Sequence, residues 1–250
     1  MQGSLVKSYF ATKMGLDPSN IIHVAITPCS AKKYEITREE LVTGSMLCTD
    51  IAITTSELAA LLKKRNINIA SHSGSFDTLM STASGGGIIF GNTGGVMRAA
   101  LRTAHFNITG SNPPSNLLDL QKIQGLTGLK EASVTIGSTS LNVAVCYEMR
   151  NAKMLLDQVI DGRCKYDFIE VMACKGGCVG GEGQPAGSSK IEKRISALNA
   201  ADVQASNRYS HENPEIKAIY RDFLGDVGSP AAKRYLHTTY NDKSNLILSV

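Results

Sequence analysis

The chain has 250 residues, 42% of them hydrophobic and 19% charged, and carries a net charge of +4. That is an ordinary globular composition, long enough for one large domain or two small lobes with a real core, and it excludes a disordered chain. No window approaches the ~18 apolar residues of a membrane span, and the basic residues are scattered rather than striped, so neither a membrane nor a nucleic acid is expected as a partner.

In chain order, residues 2–14 carry an amphipathic pattern (Leu5, Tyr9, Phe10, Met14) that predicts a helix ended by Gly15, not a secretory leader. Without export the six cysteines are expected to stay reduced, and the chain is placed in the cytoplasm. The β-branched run IIHVAIT (21–27) predicts a strand that breaks at Pro28, with Cys29 in the loop beyond it. A second strand over 51–55 leads to a helix through Arg65, with Ser56 as the expected N-cap and Leu58, Leu61 and Leu62 on one face.

A long polar stretch over 71–87 reads as a functional or mobile loop, followed by IIFGNTGGVM, where the glycines suit a strand and helix packed tightly on a buried group. Residues 99–107 read as helix, 111–116 as loop, and 134–148 as a hairpin turning at Gly137-Ser138. A helix over 151–160 precedes a buried strand over 166–174, and the remainder from Lys190 is mostly helix, broken near Asn213-Pro214 and Gly228–Pro230. This alternation predicts an α/β fold: two lobes of mainly parallel β-sheet flanked by helices, plus a helical C-terminal segment. Functional loops then leave the carboxyl ends of strands, which is where Cys29 and Cys174 fall.

Cys48, Cys146 and Cys164 have no glycine context and read as small core hydrophobes. Cys174 and Cys178 differ, because the stretch MACKGGCVGGEGQP (172–185) surrounds them with glycines that let backbone amides approach a bulky group. Three readings stand: an iron–sulfur group, cysteine-only zinc, or a metal-free loop. The spacing favours iron–sulfur over zinc, which more often takes two intervening residues. In TPCSAKKYE (27–35), Lys32 and Lys33 could present a cation to a thiolate or anionic ligand, or simply form the exposed first turn of a helix running to Glu39 and Glu40. Lys190, Lys193 and Arg194 read as a solvated helix face. No phosphate loop, dinucleotide fingerprint, zinc-protease motif or serine elbow occurs, so nucleotide binding and hydrolysis have little support.

Together, TPCSAKKYE and EVMACKGGCVGGEGQP (170–185) resemble the second and third cluster-binding motifs of the [FeFe]-hydrogenase catalytic domain. IIFGNTGGVMRAALRTA (88–104) between them, and SHENPEIKAIYRDFLG (210–225) and LHTTY (236–240) after them, resemble the same family, so the likeness covers essentially the whole chain. The resemblance implies an H-cluster, a [4Fe–4S] cubane joined through a thiolate to a diiron unit with CO, cyanide and dithiolate ligands, and the reversible reduction of protons to hydrogen. By the family pattern Cys29, Cys174 and Cys178 ligate the cubane, with Cys178 bridging to the diiron unit. Lys32 donates to a cyanide, and Thr27, Pro28, Phe90, Gly91 and Met172 line the cofactor pocket. Lys32, Met172 and Cys178 are the expected catalytic set, and the cluster is expected between the two lobes.

The resemblance also implies a division into 1–190, an incomplete H-cluster domain, and 191–250, a helical segment like the family's small-subunit region. A cubane takes four cysteines, and the family's first motif, of TSCCPGW type, has no counterpart here. The expected partners are therefore a missing N-terminal hydrogenase segment or complementary chain, ferredoxin or another redox partner, and the hydrogenase maturation proteins, with the isolated chain inactive. Thr27 stands where many members have methionine, Glu182 where glycine is usual and Arg98 where an acid is common. These departures leave room for a non-catalytic or sensory hydrogenase-like protein. A hydrogenase-like scaffold of iron–sulfur protein assembly is the other alternative, against which the lysine pair of TPCSAKK and the HTTY stretch argue.

Overall fold

The computed structural model describes residues 1–118, 120–122, 127–187 and 190–243. Helical segments α1 (Gln2–Leu5), a π-helical turn (Val6–Phe10) and α2 (Ala11–Met14) follow one another without a break and stop at Gly15, whose φ of 64° reverses the chain. Strand β1 (Val24–Thr27) leads to a single turn of helix, α3 (Lys32–Glu35), shorter than a helix reaching Glu40 would be. After the small antiparallel pair β2 (Val42–Thr43) and β3 (Met46–Leu47), β4 (Ile51–Thr54) runs parallel to β1 with Thr54 opposite Thr27.

Helix α4 (Thr55–Lys64) is capped by Thr54, not by Ser56. The Thr54 hydroxyl accepts the Glu57 amide at 3.2 Å and the Glu57 carboxylate accepts the Thr54 amide at 2.8 Å. The two bonds close a capping box that Ser56, two residues later, cannot make. Leu58 and Leu62 are half-buried on this helix, whereas Leu61 is exposed.

The polar stretch stays irregular from His72 to Ser84. The apolar run after it is helical and not a strand: α5 (Gly85–Ile88) passes into a 3-10 turn (Ile89–Gly91) that buries Ile89 completely. Helix α6 (Gly95–Thr109) starts earlier and ends later than its polar/apolar pattern marks. Strand β5 (Gln121–Lys122) precedes the hairpin of β6 (Leu129–Ile136) and β7 (Thr139–Tyr147), whose register pairs Ile136 with Thr139 across Gly137-Ser138. Helix α7 (Met149–Ile160) then crosses over to β8 (Phe168–Met172), parallel to β7. Beyond it come α8 (Lys190–Gln204), α9 (Pro214–Ile219) followed by a π-helical turn (Tyr220–Leu224), and α10 (Pro230–Leu236), where the Ser229 hydroxyl accepts the Ala232 amide at 3.0 Å. No described helix is long and apolar enough to cross a membrane.

The chain divides into two compact units, Met1–Met80 with Lys217–Val250, and Ser81–Ile216. In the first, Leu5 and Tyr9 of the N-terminal helical run pack with Ile219, Leu224 and Ala232. Its parallel pair β1–β4 leaves Val24, Ile26 and Ile51 exposed. In the second, the sheet runs β5-β6-β7-β8, antiparallel in its first two pairings and parallel only where α7 crosses over. Met97 and Leu101 of α6 cover one face through Val134, Ile136, Val143 and Val145. Ala152 and Leu155 of α7 cover the other through Leu129, Ala144 and Cys146. Alternate residues of β7 thus face two helical layers, which is why NVAVC reads as a continuous apolar run. Cys146 is fully buried as expected of a core cysteine, but Cys48 and Cys164 are only half-buried, the first with its sulfur 3.3 Å from the Thr43 hydroxyl.

Candidate functional site

In the first unit, β1 carries Thr27, Pro28 and Cys29 to its carboxyl end. Thr27 is buried and its hydroxyl accepts the Cys29 amide at 3.3 Å, bending the chain out of the strand. The Thr55 hydroxyl donates to the Thr27 carbonyl at 3.4 Å and so ties this corner to the start of α4. Pro28 and Cys29 are half-buried. Lys32 opens α3, with its ammonium 2.6 Å from the Glu35 carboxylate. Lys33 pairs with Glu57, and this bond, with the Thr54 amide, holds the Glu57 carboxyl down at about 2. Both lysines therefore already have a carboxylate.

Lys32 and Glu35 border a cavity of about 190 Å³ whose wall also includes His23, Ala25 and Cys48. Burial lowers the basicity of His23, whose Nδ1 lies 3.1 Å from the Thr49 hydroxyl. Sequence reading singled out neither Glu35 nor His23. The i,i+3 spacing of Lys32 and Glu35 was the available signal for the first. Nothing local marks the second.

In the second unit, β8 delivers Met172, half-buried, to the loop holding Cys174, half-buried, and Cys178, exposed at the start of a 3-10 turn (Cys178–Gly180). The backbone turns at Gly177, φ 97°, where a Cβ would sit 2.7 Å from the Gly91 carbonyl oxygen, 2.7 Å from the Thr93 amide and 2.8 Å from the Met172 sulfur. Only glycine fits such a place. The Thr93 amide donates to the Gly176 carbonyl at 3.1 Å, so the cysteine loop and the Phe90–Thr93 turn are held backbone to backbone. Phe90 is 45% exposed beside them.

Two side chains that sequence reading missed support this arrangement. Glu170, buried two residues before Met172, accepts the amides of Gly94 and Met97 at the start of α6. An acid inside the apolar strand FIEVM is itself a signal, because a buried carboxylate needs donors. Arg194, expected on a solvated face, instead donates to the Val179 carbonyl at 3.0 Å and the Pro185 carbonyl at 2.7 Å, clamping the far side of the cysteine loop.

Among the described residues no three His, Cys, Asp or Glu side chains form a group that could hold a metal ion. Two thiols on a loop whose glycines bring backbone amides close suit a thiolate-ligated iron–sulfur group, and the residues fit it as a partial donor set. The profile described as iron only hydrogenase large subunit, C-terminal domain, matches residues 1–182. The chain belongs to the iron-only hydrogenase family. A second profile, iron hydrogenase small subunit, matches residues 188–243.

Among its relatives, the periplasmic [Fe] hydrogenase large subunit of Nitratidesulfovibrio vulgaris is 46% identical over 193 residues, 77% of this chain and 45% of that one. The cytosolic Fe-S cluster assembly factor narfl of Xenopus tropicalis is 31% identical over 260 residues, 96% of this chain and 52% of that one. The structure of the [FeFe]-hydrogenase HydA1 of Chlamydomonas reinhardtii superposes with a TM-score of 0.81 at 36% identity, covering 96% of this chain and 68% of that one. The hydrogenase-family chain thus spans about half the length of the curated relatives it matches.

Proposed function

We propose that this chain serves hydrogen metabolism as part of an [FeFe]-hydrogenase catalytic domain, in the reversible reduction of protons to H2 with electrons exchanged through ferredoxin or another redox partner. The observation that carries the reading is the packing of Gly177 against the Gly91 carbonyl and the Met172 sulfur. It draws together Gly91 and Met172, residues that the hydrogenase resemblance assigns to one pocket.

In this reading Cys29, Cys174 and Cys178 hold an H-cluster, and a complementary hydrogenase segment provides the fourth cubane ligand. When bound, the cluster supplies the redox-active metal centre, and the protein supplies position and field. Lys32 offers a cation to the anionic ligands, steadied by Glu35 when it is not so engaged. Thr27 and Pro28 fix the Cys29 turn, Met172, Phe90 and Gly91 give the pocket an apolar lining, and Arg194 and Glu170 hold the loop that bears Cys174 and Cys178.

Infrared spectra of the chain assembled with its complementary segment and the maturation proteins test the proposal. CO and cyanide stretching bands together with hydrogen turnover against a redox dye are expected. Bands without turnover indicate a sensory role. A cubane with no such bands indicates the assembly-scaffold reading, which the 31% identity to an Fe-S cluster assembly factor over 96% of the chain keeps as the alternative.

A further inference from the structure

Away from the cysteine loop, the second unit gathers three guanidiniums. The Arg102 side chain, buried on α6, makes a two-pronged bond to Asp202 with both distances 2.7 Å. Arg208 reaches the same carboxylate at 3.4 Å, and its Nε is buried with no hydrogen-bond partner. Arg98, one helical turn before Arg102, is half-buried, and among the described residues no side chain pairs with it. Arg98, Arg102 and Arg208 border one small cavity of about 20 Å³, with Tyr209 and the loop through Pro113, Ser115 and Leu118 around it.

The charges do not balance. Asp202 answers Arg102 and Arg208, and the other carboxylate that Arg98 feels, Glu170, is committed to two α6 amides. Burial and the neighbouring arginine charges weaken the basicity of Arg98, the expected effect of a cation left short of counter-charge. A half-buried guanidinium in that position is costly unless an anion joins it.

We propose that this cavity is a binding site for a small monovalent anion of halide size, seated between Arg98, Arg208 and the Arg102–Asp202 pair. The volume inside the three guanidiniums admits about one water-sized body, which suits a small ion better than a nucleotide, a sugar or a larger oxyanion. The anion acts as a bolt joining α6, the C-terminal turn of α8, the Arg208–Tyr209 segment and the 113–118 loop.

Thermal unfolding of the 250-residue chain in sodium chloride against sodium methanesulfonate at equal ionic strength tests this. Chloride is expected to raise the midpoint by roughly 3–6 °C at about ten times its dissociation constant. Arg98→Glu supplies a carboxylate internally and should hold the higher midpoint in either salt, while Arg98→Met should abolish the chloride response. Crystals grown in bromide should show an anomalous peak among the three guanidiniums. Equal wild-type midpoints in the two salts would overturn the proposal. So would an Arg98→Glu chain with the full chloride shift, or crystals without the peak.

Discussion

Glu170 on β8 accepts the backbone amide of Met97 at 2.7 Å, and through this bond a strand end and a helix start become one rigid corner beneath the cysteine loop. A second bond, from the Gly94 amide at 2.6 Å, occupies the other carboxylate oxygen. Burial raises the Glu170 pKa above its ordinary value, opposed by those two amides and by Arg98. A carboxyl raised in the folded state adds stability below the ordinary value of about 4.3, and that contribution is lost as pH rises through the folded value.

Glu170→Gln removes this titration and keeps only one good acceptor for two amides. It should cost about 1–2 kcal/mol at mildly acidic pH. The deficit should shrink as the medium is taken toward neutrality, because the native carboxylate, not the amide, pays the burial penalty there. Urea unfolding at a series of pH values measures both effects. A deficit that widens with pH would mean that the carboxylate is the favoured form in the fold.

Gly177→Ala is expected to be costly for two independent reasons. The residue sits at φ 97°, and its Cβ would press on the Gly91 carbonyl and Thr93 amide at 2.7 Å, both backbone atoms that cannot swing aside. Strain and overpacking together should cost about 2–4 kcal/mol. The loop should also become an early site of proteolytic cleavage, which limited digestion and chemical unfolding would show. Native-like stability in the variant would mean that the loop has slack here.

Much of each unit was legible in the residues themselves. The β-branched run ending at Thr27 put Cys29 just past a strand end, the strand read over 166–174 put Cys174 at its carboxyl end, and Gly137-Ser138 between two strand-like runs marked the hairpin. What failed was decided by tertiary contact. Ile88, Ile89 and Phe90 form an apolar run too short for its periodicity to separate strand from buried helix. In the fold it is helical, and α5, which leads into it, lies so close to Asp202 that a Cβ on Gly85 would sit 2.5 Å from that carboxylate. Arg194 looked solvated because its partners, two carbonyls of the cysteine loop, lie 9 and 15 residues away in sequence. Thr54 lost the capping role to Ser56 in the reading because a strand residue can also cap, and only the reciprocal bond with Glu57 distinguishes them.

That capping box gives a separable pair of outcomes. Thr54→Ala removes the hydroxyl that holds the Glu57 amide and should cost about 1 kcal/mol, most of it still present in strong acid where the Lys33 contribution is gone. Lys33→Ala should act only through charge. The Glu57 carboxyl is held at about 2, so its contribution exists above the ordinary glutamate value and is lost as pH falls toward that figure. Native and Lys33→Ala chains should therefore differ in stability near neutrality and converge in strong acid. Parallel curves across the whole range would remove Lys33 as the cause.

Lys32 separates fold from function most cleanly. Its ion pair with Glu35 at 2.6 Å is open to solvent on both sides, with 35% and 45% of the two side chains exposed. Such a pair contributes at most about 0.5 kcal/mol, so Lys32→Ala should leave the unfolding midpoint almost unmoved. If the ammonium serves an anionic cluster ligand, the same substitution in the matured assembly should shift the cyanide stretching bands and lower hydrogen turnover by roughly 10²-fold, the order expected when a donor to developing charge is removed. Glu35→Gln, which frees the lysine, should do neither. Unchanged bands and turnover in Lys32→Ala would assign the residue to the surface of α3 alone, and a shift in both variants would place the effect in the helix turn rather than in the ammonium.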